Sequence, residues 1–282
     1  MTSRAALLFA VVVLVAAACA DQGSLASPST AINQSPVATT APTTASVELT
    51  ILAASSLKGA MDAAKTAYEA ANPGATLVIS TDSSSALETK IEQGAPADVF
   101  LSADTTNPAT LVTGGFATGS PVVFAGNKLT VIVPADNPAG IASPADLAKT
   151  GVKIIAAGAT VPITKYATLL VTNLAKVPGY PAGFQAAYAA NVVSMEENVK
   201  SVVAKVELGE GDAAIVYVTD AKASTKVKTI DVPVDANVPA SYAGVVVKAS
   251  ANQAGAQAFL TWLAGPDGQA VLATFGFLPP AT

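Results

Sequence analysis

DSSSALETKIEQGAPADVFLSAD, running from Asp82 to Asp104, sets the reading of this chain. The serines Ser83, Ser84 and Ser85 open a helical pattern that stops at Gly94, and a short apolar strand, Val99 to Ser102, follows Ala95-Pro96-Ala97. Hydroxyls and free backbone N–H groups in the first turn of a helix hold an anion without any positive side chain. A helix of this kind leading into a buried strand is half of a βαβ unit.

The same grammar continues on both sides. Upstream, Val47–Ala53 reads as a strand, Leu57–Ala71 as a helix closed by Asn72-Pro73-Gly74, and Thr76–Ser80 as a second strand. Downstream, Lys128–Val133, Lys153–Ala157, Ala213–Val218, Val227–Asp231 and Tyr242–Val247 read as strands. Helices are predicted near Pro144–Thr150 and over Ile163–Lys176, Asn198–Leu208, Ala254–Leu263 and Asp267–Phe275. Strands separated by helices form parallel units with helices on both sheet faces, so the fold class is α/β, with two lobes. Such sheets bind anions at the carboxyl ends of their strands. Ser55-Ser56 and Ser83-Ser84-Ser85 occupy that position.

Composition narrows the chemistry. The 282 residues include no histidine and one cysteine, Cys19. Ser-His-Asp hydrolysis, histidine-ligated zinc, cysteine metal clusters and an internal disulfide are thereby excluded. A net charge of −5 argues against a nucleic-acid partner. Arg4, the apolar run Ala5–Val15 and Ala16-Ala17-Ala18 form an export signal too short to span a membrane. A cysteine directly after small residues resembles a bacterial lipoprotein signal, in which Cys19 is lipidated. The Ser/Thr/Ala/Pro-rich segment from Asp21 to Ser46 cannot bury enough surface to order itself and reads as a tether.

Ser56 precedes the first helix and Ser84 opens the second, positions where a serine ordinarily caps. Tyr217 interrupts the apolar run AAIVYV, where its hydroxyl bonds either a backbone carbonyl or a ligand. Ser55-Ser56-Leu57-Lys58 and Lys149-Thr150-Gly151 match two short elements of the serine β-lactamase set. The element expected between them is missing, and Lys149-Thr150-Gly151 reads as a helix end rather than a strand. A serine acyl-enzyme using Ser55 and Lys58 is therefore the weaker alternative, and the chain reads as a non-enzyme.

In order, the segments resemble the molybdate-binding proteins of bacterial molybdate ABC transporters, over Val47 to Phe277. The carriers are Ala53-Ala54-Ser55-Ser56-Leu57 with Ala60-Met61, the stretch from Ser83 to Asp104, and Val161-Pro162-Ile163-Thr164-Lys165-Tyr166-Ala167. Asn198-Val199-Lys200, Ile215 to Ala221, Gly265-Pro266-Asp267 and Phe275-Gly276-Phe277 complete the set. The resemblance implies a type II periplasmic-binding-protein fold, each lobe a mixed, mostly parallel sheet flanked by helices, with the ligand in the interlobe cleft. It places residues 1–18 in the signal, 19–46 in the lipidated tether, 47–125 and 233–282 in lobe one, and 126–232 in lobe two.

It further implies molybdate or tungstate as ligand, held by Ser56, Ser84, Ile163, Val199 and Tyr217, with no cofactor and no metal site beyond the oxyanion itself. A membrane permease of an ABC importer is the implied partner of a monomeric receptor anchored on the extracytoplasmic face through Cys19. A cleft lined only by donors prefers a fully ionised dianion to hydrogen phosphate, whose O–H finds no acceptor. Sulfate, as another tetrahedral dianion, stays open as the alternative ligand, and a carboxylate in the cleft, Asp82 or Glu197, would point to a protonated one. Two departures stand out. Ile163-Thr164 replaces a small Ala-Gly pair, and Asn198 replaces a frequent acid beside Val199.

Overall fold

In the computed structural model the described residues are Ser46 to Pro280. The export signal, Cys19 and the tether lie outside them. The first half of the chain runs β1 (Val47–Ala54), a 3-10 turn (Ser55–Leu57), α1 (Lys58–Ala71), β2 (Ala75–Asp82), α2 (Ser84–Glu92), β3 (Val99–Ser102), α3 (Thr106–Thr113) and β4 (Ala117–Asn127). The second continues with β5 (Leu129–Pro134), a 3-10 turn (Pro144–Ala148), β6 (Ile154–Ala157), α4 (Pro162–Leu174), α5 (Phe184–Ala190), β7 (Val192–Glu196), α6 (Val199–Glu207) and β8 (Ala214–Tyr217). The chain closes with α7 (Val218–Lys222), β9 (Val227–Ile230), a 3-10 turn (Val234–Ala236), β10 (Ala240–Val247), α8 (Gln253–Ala264) and α9 (Pro266–Thr274).

Two sheets organise these elements. The first has the order β2-β1-β3-β10-β4, with β1 parallel to β2 and β3, and β10 antiparallel to both of its neighbours. The second is built the same way. A parallel bridge between Ile154 and Ala213 sets the parallel pair β6-β7 beside β8-β5-β9, in which β5 is the reversed strand. Each sheet thus carries one strand against the grain, β10 in the first and β5 in the second. The chain passes between the sheets twice, from β4 to β5 and from β9 to β10.

Periodicity explains the helices. Ala60, Met61, Ala64 and Tyr68 line the buried stripe of α1, and Val199, Val202, Val203 and Val206 that of α6. Gly94, at φ +88°, takes the left-handed turn that ends α2. Gly244 in β10 is required for closeness instead, since a Cβ there would stand 2.7 Å from Leu101 Cδ2 and 2.9 Å from Leu260 Cδ1.

Besides the short α7, four elements gave no clear periodic signal in the sequence. The residues of α3, TNPATLVT, mix threonines with a proline that only the first helical turn tolerates. In β4, Gly119 and Pro121 look like turn residues, and the strand carries them because it lies at the sheet edge. The short α5 and β7 sit between Lys176 and Asn198, where alternation is brief.

Candidate functional site

The carboxyl ends of β1 and β2 deliver their serines to one place. The 3-10 turn Ser55–Leu57 follows β1 directly, and α2 follows β2 after the single residue Ser83. Neither Ser56 nor Ser84 is the cap that the sequence suggested. Ser83 caps α2, its Oγ accepting the Ala86 N–H at 3.3 Å, and the turn at Ser55–Leu57 has no side-chain cap. Both hydroxyls are thereby left for other work.

That work is legible in their partners. Ser84 Oγ accepts the buried Ala103 N–H at 3.0 Å, so its own proton is free to point elsewhere. Ser56 Oγ lies 2.9 Å from the Tyr242 hydroxyl, which accepts from Asn127 Nδ2 at 3.4 Å. Either hydroxyl can donate in that pair; the Asn127 amide, by donating to Tyr242, favours Tyr242 as the donor to Ser56, the arrangement that leaves the Ser56 proton unspent. Asn127 in turn donates to Thr219 Oγ1 at 2.9 Å. Sequence reasoning missed Tyr242, Asn127 and Ala103. Tyr242 breaks an apolar strand just as Tyr217 does, and that shared pattern was the available signal.

Across from the serines, α4 and α6 present their N-termini. Val161 and Pro162 open α4, and proline carries no N–H, so Ile163 supplies the first donor of that helix. Asn198 caps α6 by accepting the Ser201 N–H at 3.0 Å, which asparagine does as well as an acid. Among the described residues, the N–H groups of Ser56, Ser84, Ile163 and Val199 donate to no acceptor in the chain.

Ser56, Ser84, Ile163, Val199 and Tyr217 all line one cavity, together with Ala54, Ser55, Ser83, Ala103, Val161 and Pro162. Its free space of about 10 Å³ is of the order of one water molecule. No carboxylate, lysine or arginine lines it. Asp82 and Glu197 flank a neighbouring cavity instead, and the Asp82 carboxylate is engaged by Lys90 and the Ser83 N–H. Tyr217 is 1% exposed, its hydroxyl 3.5 Å from the Ala103 carbonyl. Burial drives the hydroxyls of Tyr217 and Tyr242 well above their ordinary range, and that of Tyr166 up to about 12. All three stay protonated donors at any physiological pH.

The side chain of Ile163 is buried and also lines a separate apolar cavity of about 210 Å³ with Ala156, Ala167, Tyr188 and Ile215. Thr164 turns its hydroxyl to the carbonyls of Ala157 and Gly158 at 3.0 and 2.8 Å. Contacts between elements of the two sheets surround the cavity. Ser85 Oγ meets Thr160 Oγ1 at 3.5 Å, Lys165 Nζ meets Thr106 Oγ1 at 3.3 Å, and the Tyr166 hydroxyl meets the Ser241 carbonyl at 3.5 Å.

The rest of the opening stretch is scaffold. Asp98 accepts the Thr50 N–H at 2.7 Å and the Ser250 hydroxyl, tying β1 and β3 to the segment after β10. Asp104 accepts from the Ser102 hydroxyl and from the backbone and side chain of Asn107, which fixes the start of α3. The acyl-enzyme pair does not form. Ser55 is buried, whereas Lys58 is exposed and bonded to Asp62 at 2.9 Å, and Lys149 follows a 3-10 turn rather than a strand.

A family model for bacterial extracellular solute-binding proteins matches residues 49–278. The chain belongs to that family. This solute-binding protein is 33% identical over 240 residues to the molybdate-binding protein ModA of Mycobacterium tuberculosis, covering 85% of this chain and 87% of that one. Among solved structures it matches the periplasmic molybdate-binding protein of Azotobacter vinelandii with a TM-score of 0.69 at 26% identity, covering 83% of this chain and 100% of that one. The sulfate-binding protein SubI of M. tuberculosis shares the fold, with a TM-score of 0.73 at 21% identity over 83% of this chain and 87% of that one. The architecture is therefore the two-lobed periplasmic-binding-protein fold. The relatives are carriers of solutes rather than catalysts.

Proposed function

We propose that this protein is the extracytoplasmic receptor of an ABC importer for molybdate, and for tungstate as its near isostere. The observation that carries the reading is the lining of the cavity. Ser56, Ser84 and Tyr217 supply hydroxyls, and Ser56, Ser84, Ile163 and Val199 supply N–H groups at the starts of helices or turns. Helix N-termini add partial positive charge toward the centre of the space. Each hydrogen bond to a charged acceptor contributes about 1.5–3 kcal/mol, so seven of them can offset dehydration of the ion.

The absence of any carboxylate from the lining supports a fully ionised dianion over hydrogen phosphate. Ile163 serves through its N–H while its side chain packs away into apolar surroundings, so the departure from a small residue is compatible with the site. Lobe one comprises the first sheet and its helices, lobe two the second, with the exchanges at Asn127–Lys128 and between Ile230 and Ala240. Because residues of both lobes shut on so small a space, the ion enters by hinge opening and is trapped by closure. The closed form is what the permease recognises, and Cys19 is the lipid anchor that keeps the receptor at the membrane.

Thermal shift of the full chain against molybdate, tungstate, sulfate and phosphate tests this. A ligand at a hundredfold excess over its Kd adds about 2.7 kcal/mol of stability. Stabilisation by molybdate and tungstate is expected. A response to sulfate or phosphate alone would overturn the molybdate assignment.

A further inference from the structure

Three residues after the cavity-lining Tyr217, α7 buries a carboxylate that none of the site's donors uses. Asp220 is 1% exposed, and among the described residues neither of its oxygens has a hydrogen-bond partner. Lys200 Nζ comes to 3.9 Å from Oδ1, outside hydrogen-bond reach. Both residues are coupled to the site by the chain itself. Lys200 follows Val199 in the first turn of α6, and Asp220 sits in the turn that directly follows Tyr217. A buried carboxylate without hydrogen bonds costs several kcal/mol when ionised, and its usual escape is to take up a proton.

We propose that Asp220 makes oxyanion capture proton-linked: a dianion entering the cavity drives this carboxylate to its neutral form, so the receptor holds its ligand more tightly at lower pH. The inference rests on the oxyanion reading of the cavity. The groups around Asp220 are few. From α6 it faces Lys200, from β8 the buried Tyr217, and from β10 the buried Tyr242 that orients Ser56. The strand β5 offers no titratable side chain, Lys228 of β9 and Lys222 of α7 are exposed, and Glu207 of α6 is held by the Ser224 hydroxyl. Lys200 is thus the single cation near it among the described residues.

Burial pushes the Asp220 carboxyl up to about 7, against the opposing pull of Lys200 and of the Tyr217 N–H. A dianion in the cavity adds negative charge nearby and can only push it further up. The sign follows from linkage. Below the free-state titration Asp220 is neutral with or without ligand, and affinity is at its maximum. Above the bound-state titration it is charged in both, and affinity is at its minimum. Each unit by which binding raises the titration corresponds to about a tenfold difference between these limits.

The test is calorimetric titration of the full-length protein with molybdate between about pH 6 and pH 9, a window that brackets the titration. At neutral pH it is repeated in two buffers of different ionisation enthalpy. Expected are a Kd that rises several-fold to tenfold toward high pH, and a binding enthalpy that depends on the buffer because a proton is taken up. Molybdate stays a dianion throughout, so the slope belongs to the protein. Asp220→Asn should bind with a flat pH profile near the low-pH affinity of the parent. A merely structural role for Asp220 would alter affinity at every pH alike. Binding with no pH slope and no buffer dependence would overturn the linkage while leaving the receptor reading intact. No binding of molybdate at any pH would overturn both. Should Asp220→Asn fail to fold, the buffer dependence of the parent protein decides the matter alone.

Discussion

Replacing Ser84 by alanine separates binding from folding in a way the hydrogen bonds make quantitative. Ser84 Oγ accepts the Ala103 N–H at 3.0 Å and lines the cavity, where on the proposed reading its proton goes to the oxyanion. Loss of a donor to a charged ligand removes about 1.5–3 kcal/mol, which is about a 13- to 160-fold rise in Kd. Loss of the acceptor orphans a buried N–H and costs about 1–3 kcal/mol of stability in the ligand-free protein. The neighbouring Ser83 is the internal control. Its Oγ caps α2 through Ala86 and meets Ser85 Oγ at 3.4 Å but accepts no N–H from beyond its own helix, so Ser83→Ala should cost about 1 kcal/mol of stability while changing Kd by no more than about threefold. Equilibrium urea unfolding and calorimetric titration with molybdate measure the two quantities for each variant. If Ser84→Ala binds as tightly as the parent, or if Ser83→Ala weakens binding as much as Ser84→Ala does, the assignment of the two hydroxyls is wrong.

Two further substitutions probe the parts that support the site. Tyr242→Phe keeps the ring packed against Phe124, Tyr217 and Phe277 but removes the hydroxyl that orients Ser56. The Kd for molybdate should rise about 2- to 13-fold, the worth of one neutral hydrogen bond, and an unchanged value in titration would dissolve the relay. Ile163→Ala removes a buried side chain but not its N–H. Unfolding midpoints should report a loss of about 2–5 kcal/mol with Kd held within about threefold, and a tenfold loss of affinity would mean the side chain itself shapes the pocket.

Much of this was legible in the sequence because it is local. Ser83 to Asp104 carries a helix start, a glycine stop and a buried strand within one short segment, and each follows from the chemistry of its own neighbours. The α/β alternation and the absence of histidine are likewise properties of the chain as written. The motif order was enough to nominate Ser56, Ser84, Ile163, Val199 and Tyr217, and folding does bring those residues to one cavity. The edge strand β4 was hidden for the opposite reason. Its glycine and proline make sense only once the strand is known to lie at the edge of a sheet.

What only the tertiary structure decided is how each donor is prepared. Nothing local says that Ser83 caps α2 while Ser84 meets the Ala103 N–H, which comes only after α2 and β3 in the chain. Nothing local links Tyr242 to Ser56, because 186 residues separate them and β10 returns to the first sheet only after the chain has built the second. Packing of α7 against α6, β5, β8 and β9 likewise buries Asp220, with Lys200 the one lysine near it among the described residues. Sequence determined which atoms could donate. The crossing of the chain between two sheets decided which of them are free to do so, because a hydrogen-bond donor is committed or spared by its partners in space, not by its neighbours along the chain.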